Sequence, residues 1–397
     1  DYEIPGAAEL YPDMDEDHDD DHDDHDEHDE EASGVLENSF LDNEGGALGV
    51  SWIGDRWTAG VAYTAYESDY GIPGAHAHEH GYEEDDHDED HEGHDEEELE
   101  EETLVTVGLK SNRVDGLLVG QDPFSGFNQL KLNLTRTDYT HTEFEGDEIG
   151  TVFDSESTDS RLELRHNPWG NWEGVFGGQY TDREFAAAGD EAFVPPSDTR
   201  TWGVFWVEAL ERDQWHFDLG IRYEDVSVEA LQLEHGHEDD HDDDNDGGQE
   251  EPTYLKRGFN PLSYSAAAIW HVNEANHLAF TFASAERAPS DGELFAYGPH
   301  VATQTFEVGN PDLMEERNRH YELAWRIHQG ALTGSVTLYY DDFRDYIYLE
   351  DTGLEEDGLP LREWSQQNAE FVGGEVELRW DLGHTRSGHW QLFGLYD

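Results

Sequence analysis

Apolar and polar residues alternate with a period of two through most of this chain. The clearest run is Trp215–Glu224, where Trp215, Phe217, Leu219, Ile221 and Tyr223 share one face and His216, Asp218, Gly220, Arg222 and Glu224 the other. Side chains of a strand point alternately to its two sides, so this stretch predicts one apolar and one wet wall. Leu130, Leu132 and Leu134 against Lys131, Asn133 and Thr135 repeat the pattern, as do Leu162 and Leu164 against Arg161, Glu163 and Arg165. Val376, Leu378 and Trp380 against Glu375, Glu377 and Arg379 carry it to the end of the chain. Ala47–Ile53 and Trp57–Tyr66 flank Gly54-Asp55, a hairpin signal. No stretch has a convincing amphipathic-helix period.

The spacing of the connections sets the architecture. Short turns are expected near 54–56, 122–127, 167–171, 212–214, 273–276, 329–331 and 383–388. Longer loops are expected near 1–33, 71–102, 145–149, 188–198, 233–253, 291–315 and 351–362. The two kinds alternate, which puts long loops on one rim and short turns on the other. That asymmetry marks a transmembrane antiparallel outer-membrane β-barrel rather than a sandwich. The reading is all-β, about fourteen strands, with residues 1–397 as one partial barrel. Trp390–Asp397 still alternates at the end of the sequence, so the chain is expected to be part of a longer one. No apolar run reaches the roughly 18 residues of a spanning helix. Trp57, Trp169, Trp172, Trp215, Trp270 and Tyr348, at strand ends, are expected in interfacial girdles.

Composition sharpens this picture. Aromatics make up 12% and glycine 40 residues in a chain only 35% hydrophobic, which suits a sheet with one thin apolar face. The formal charge is −75, from 96 acidic and 21 basic residues. Phosphate contacts need clustered Lys and Arg, so nucleic acid is excluded as a partner. Three tracts, 13–31, 75–102 and 234–251, hold 40 of the 96 acidic residues and 13 of the 23 histidines. On the barrel topology all three fall on the extracellular, long-loop rim. Their histidines are His18, His22, His25 and His28, then His76, His78, His80, His87, His91 and His94, then His235, His237 and His241. A solvated charge run needs only carboxylates; imidazole adds affinity for zinc, copper or nickel, and no cysteine competes. Asp242, Asp244, Asp246 and Gly247 open a calcium-loop pattern, but its twelfth position is Thr253 instead of Glu. Calcium stays an alternative ion for these loops. His78-Glu79-His80 and His91-Glu92-Gly93-His94 miss the H-E-x-x-H spacing, and no nucleotide or hydrolase motif occurs, so the reading is not an enzyme.

Several segments resemble one family. Glu286–Ser290, Glu293–Phe295, Gly298–Thr303, Gly309–Leu313, Tyr321–Leu323 and Phe371–Glu377 are similar to the late-barrel signature of TonB-dependent outer-membrane receptors. Tyr70–Gly74 before a histidine-rich loop, Gly150–Asp154 and Glu191–Pro196 resemble its zinc-uptake branch. The resemblance implies a 22-stranded barrel, of which about fourteen strands fall here, in the outer membrane of a Gram-negative bacterium and in contact with lipid and lipopolysaccharide. It implies a plug domain with a TonB-contacting box, neither of which is visible in this sequence, and a full-length receptor driven through TonB. Zinc would be cargo, captured by the tracts and passed to a ligand in the lumen. His300 is the candidate for that ligand, with His141 and Glu143 as further candidates. Two other readings stay open: a metal-buffering or calcium-dependent surface adhesion protein, and a receptor for a siderophore or haem chelate.

Overall fold

The structure is a computed structural model that describes residues 36, 38–77, 103–146, 148–189, 192–231, 253–300 and 303–397. Seventeen strands and one short helix follow in chain order. They are β1 (Leu41–Ile53), β2 (Trp57–Ala77), β3 (Thr103–Phe124), β4 (Phe127–Glu145), β5 (Glu148–His166), β6 (Trp172–Gly189), β7 (Ser197–Arg212) and β8 (Trp215–Leu231). Then come β9 (Tyr254–Phe259), β10 (Leu262–Asn273), β11 (Asn276–Arg287), α1 (Asp291–Phe295), β12 (Tyr297–His300) and β13 (Thr305–Val308). The last four are β14 (Glu316–Gln329), β15 (Leu332–Glu356), β16 (Leu359–Thr385) and β17 (Gly388–Tyr396).

Each strand from β1 to β8 pairs antiparallel with the next. β8 then pairs with β9 along its upper part and β10 along its lower part, so these two are one strand interrupted at Asn260-Pro261. The meander continues through β10, β11, β14, β15, β16 and β17. β12 and β13 form a hairpin inside the β11–β14 connection, and β13 lies parallel to Leu361–Glu363 of β16. With β9 and β10 counted once and this hairpin set aside, the sheet has the fourteen crossing strands expected from the sequence. Among the described residues β1 and β17 are the two edges and do not pair with each other.

The short turns fall where the alternation puts them. The loop expected at 351–362 does not exist: β15 and β16 run on as a hairpin to Asp357-Gly358. Both turn residues have positive φ (53° and 78°), the conformation of a two-residue turn whose twist matches the strands. β15 and β16 thus reach 25 and 27 residues, well past the roughly 9–11 that cross a bilayer.

The two faces separate as the pattern predicts. On β8, Trp215, Leu219, Ile221 and Tyr223 are exposed, while Asp218 and Arg222 are half-buried. The outward neighbours on β7, Trp202, Val204 and Trp206, stand opposite Asp225, Tyr223 and Ile221. Trp215 stacks on Trp270 at 5.7 Å, beside the short turns, as a girdle residue should. From Trp215 to Tyr223 the outward apolar row runs about 26 Å of strand. Above it the outward positions turn acidic: Glu156, Glu184, Asp198 and Glu229 sit directly opposite one another across β5 to β8. The inner face carries Arg222, donating to Glu224 at 2.7 Å and Gln179 at 3.4 Å, and Arg161, donating to Glu163 at 2.6 Å.

This face assignment gives a testable contrast. Ile221→Arg puts a charge in the outward apolar row and should cost about 2–4 kcal/mol. Asp218→Asn weakens a half-buried contact to His216 that water still reaches and should stay within about 1 kcal/mol. Urea titration of the barrel in lipid vesicles compares the two; equal losses would overturn the register.

Candidate substrate site

One long connection, 288–315, folds against the inner wall, and the sequence of that wall changes to receive it. Below Glu224 the inward side of β8 is polar; above it Val226, Val228 and Ala230 are buried. Leu294 and Phe295 of α1, with Leu313, pack on these residues and on Phe259 and Ile347. Burial of Leu294, fully enclosed, anchors the connection by about 1.5–3 kcal/mol.

Polar contacts fix what this cluster positions. Ser290 caps α1, accepting from the Glu293 amide, while the Glu293 carboxylate accepts from the Ser290 amide. Arg287 forks onto both oxygens of Glu293 at 2.9 and 3.0 Å and also holds Glu316 at 3.1 Å. Asp291 accepts from Ser197 at 2.6 Å and from Arg183 at 3.4 Å, tying α1 to β7 and β6. Gly309 passes so close to α1 that a Cβ there would meet the Ala296 and Phe295 amide nitrogens at 2.6 Å. The segments Glu286–Ser290, Glu293–Phe295 and Gly309–Leu313, which resemble the receptor signature, are therefore the brace of this inward connection, while Tyr321–Leu323 and Phe371–Glu377 lie in β14 and β16.

The β12–β13 hairpin stands on that brace and presents His300. Its Nδ1 lies 2.8 Å from Oε1 of Glu307, on the facing strand. Glu307 is buried (5% exposed), and an ionised carboxylate only accepts, so Nδ1 carries the proton. The lone pair is then on Nε2, which has no hydrogen bond among the described residues. Phe193 stacks on the ring at 4.4 Å and holds its plane. A carboxylate behind an imidazole, with the far nitrogen left open, is the arrangement that orients a metal-binding histidine.

The other candidates divide. His141 lies on the inner face of β4, its Nε2 3.5 Å from Glu143 and its Nδ1 3.4 Å from the Tyr139 hydroxyl. Its Nε2 is buried without a hydrogen bond. Among the described residues no three His, Asp or Glu side chains converge as a metal cage, so His300–Glu307 and His141–Glu143 are separate pairs. His76 ends β2 as backbone. His18, His22, His25, His28, His78, His80, His87, His91, His94, His235, His237 and His241 lie outside the described residues. Glu307 was not singled out from the sequence; its seven-residue spacing from His300 across a hairpin was the available signal. A cavity of about 400 Å³ lined by Asp154, Glu156, Glu184, Asp198 and Glu229 shares the outward face of Leu162 and Trp202, so it is not part of the lumen.

The fold has relatives among solved structures. The copper transporter OprC superposes with a TM-score of 0.65 at 13% identity, covering 86% of this chain and 50% of that one. The Serratia marcescens hemophore receptor HasR, in complex with its hemophore HasA and heme, gives 0.62 at 13%, covering 86% and 52%. The siderophore receptor PirA from Acinetobacter baumannii gives 0.56 at 14%, covering 86% and 51%. The chain thus spans about half the length of these structures. Residues 36–397 match the family described as TonB dependent receptor-like, beta-barrel, and the chain belongs to that family of outer-membrane barrels.

Proposed function

We propose that this chain is the barrel part of a TonB-dependent receptor that imports a divalent metal ion, zinc first. What supports the reading is where the described strands on either side of the tracts end, relative to the hairpin. The connections containing 78–102 and 232–252, and the entry into β1, all open at the end of the sheet where the His300 hairpin enters. Cations collected by the acidic loops outside the cell would meet one oriented imidazole inside the mouth. Carboxylate and imidazole with no cysteine and two methionines suit zinc or nickel better than copper(I). Movement inward would draw on TonB through a plug domain. A surface adhesion role uses the tracts equally well but gives the His300–Glu307 pair nothing to do.

Capture by the tracts should be pH-dependent. Imidazole binds metal only when neutral, so zinc affinity should fall as pH drops through about 6.5. Calorimetry on a peptide of residues 75–102 measures this; zinc binding unchanged at pH 5 would leave carboxylates as the only ligands.

The tracts and the hairpin should also separate genetically. Thirteen histidines in three loops are redundant, so removing 75–102 should lower uptake only when zinc is scarce. His300→Ala removes the one oriented nitrogen and should reduce zinc uptake by tenfold or more at any concentration. Radiolabelled zinc uptake by the full-length receptor compares them; normal transport by His300→Ala with none after the deletion would invert the assignment.

A further inference from the structure

Seven of the ten histidines outside the tracts stand beside short turns, at the end of the sheet opposite the His300 hairpin. Four of them, His216, His271, His277 and His328, lie on the consecutive neighbours β8, β10, β11 and β14. All four share the inward face, because Trp215, Trp270, Leu278 and Trp325 beside them occupy the outward one. His216 is engaged by Glu211 at 2.7 Å and Asp218 at 2.9 Å. The other three are not held by carboxylates. His271 and His277 are directly opposite, their Nδ1 atoms 2.7 Å apart, and the His328 ring lies 6.0 Å from that of His277.

The backbone under these rings is fixed. The His271 amide donates to the Gln214 carbonyl at 2.8 Å and the His328 amide to the Ala275 carbonyl at 2.7 Å. Arg326 is the cross-strand partner of His277 and, with Glu377 and Arg379, lines a cavity of about 270 Å³ that includes His328.

We propose that His271 and His277 form a two-imidazole seat for a borderline divalent cation, zinc or copper(II), at the short-turn mouth of the lumen, with His328 near enough to add a third ligand although no three side chains converge there in the empty state. This rests on the import function proposed above and adds an exit site to it. In the empty pair one ring donates its Nδ1 proton to the Nδ1 lone pair of the other. On loading, that proton moves through water to the Nε2 of the donor ring, so both rings stay neutral and two Nδ1 lone pairs face the gap. The ion replaces the shared hydrogen, and the nitrogens open to about 3.3 Å, as metal–nitrogen bonds of 2.0–2.1 Å at a tetrahedral angle require. His328, exposed, swings in as third ligand; water takes the remainder. The two sites would then face each other along the lumen, one at each mouth.

The test uses copper(II) as a paramagnetic probe. This chain has no cysteine, so Glu274→Cys in the β10–β11 turn carries a single nitroxide in the full-length receptor, any cysteine outside the chain being changed to serine. Copper on the pair should lie about 10–20 Å from the label; copper on the tracts should lie beyond about 40 Å, a strand length away. Pulsed electron resonance should show both distances in the parent protein. Only the short one should be lost in the His271→Ala/His277→Ala variant. The His271→Gln/His277→Gln variant, which keeps polar side chains in the gap, should behave the same way. A short distance that survives in either variant, or a parent protein with long distances only, overturns the exit site and leaves capture by the tracts standing. No bound copper at either end overturns both.

Discussion

Inside hydrocarbon there is no water to hydrogen-bond a peptide group, so every backbone N–H and C=O must find its partner within the protein. That requirement explains the antiparallel ladder that runs through the crossing strands from β1 to β17 and shows what its interruption beside β8 demands. Asn260-Pro261 splits the strand that pairs with β8, and proline brings no N–H to the ladder. The protein replaces the lost pairs with two side-chain acceptors and one backbone bond. The Asn260 amide donates to Glu315 at 2.9 Å, the Leu262 amide to Glu286 at 2.8 Å, and the Pro261 carbonyl accepts from the Glu224 amide at 2.9 Å. Glu286 is itself held by Arg317, at 2.5 Å. A break in the sheet is thereby made the anchorage of the inward connection, since Glu315 and Glu286 flank its two ends. The same constraint bears on β1 and β17, each with one unpaired edge among the described residues. In a bilayer such edges must be covered, and this chain spans about half the length of the matched structures.

Side-chain alternation follows the ladder with one instructive exception. His166 and Glu208 occupy outward positions yet are buried, 2.9 Å apart. Trp169 stacks on the imidazole at 4.2 Å, Phe176 and Trp206 stack on each other at 5.6 Å, and the Trp206 indole donates to Glu208 at 2.8 Å. Gly174 leaves room for the carboxylate: a Cβ there would lie 2.5 Å from its oxygen. A polar pair in the girdle is tolerated because aromatic faces exclude lipid and Oε1 of Glu208 takes both hydrogen bonds, although its Oε2 is buried without a partner among the described residues.

How much of this was legible follows from which interactions are local. Alternation and turn spacing gave the strands, the faces of β8 and the fourteen crossings, because period 2 is a property of neighbours. The loop expected at 351–362 is instead a hairpin closed at Asp357-Gly358, because the polar residues there continue the two strands past the length that crosses a membrane. His166–Glu208 was invisible: the partners lie 42 residues apart, and the pattern assigns both to lipid. The brace of α1 spans longer separations, 94 residues for Ser197–Asp291, which no spacing rule reaches. His300 was found through the resemblance, while Glu307, which decides the tautomer, needed the hairpin register.

The brace also bears on why one histidine should matter beside thirteen. A ligand on a flexible chain must be ordered each time it binds, losing about 1–2 kcal/mol of backbone entropy per residue fixed. On the proposed reading, collection by the tracts would draw on many such ligands at once. His300 has already been fixed by Glu307, Phe193 and the buried charges beneath it, so its ordering was completed during folding. Weak, numerous ligands release ions quickly and suit collection; one preorganised ligand holds longer and suits selection. On the proposed reading the weaker set would then lie outermost, at the end of the sheet where the described strands flanking the tracts terminate.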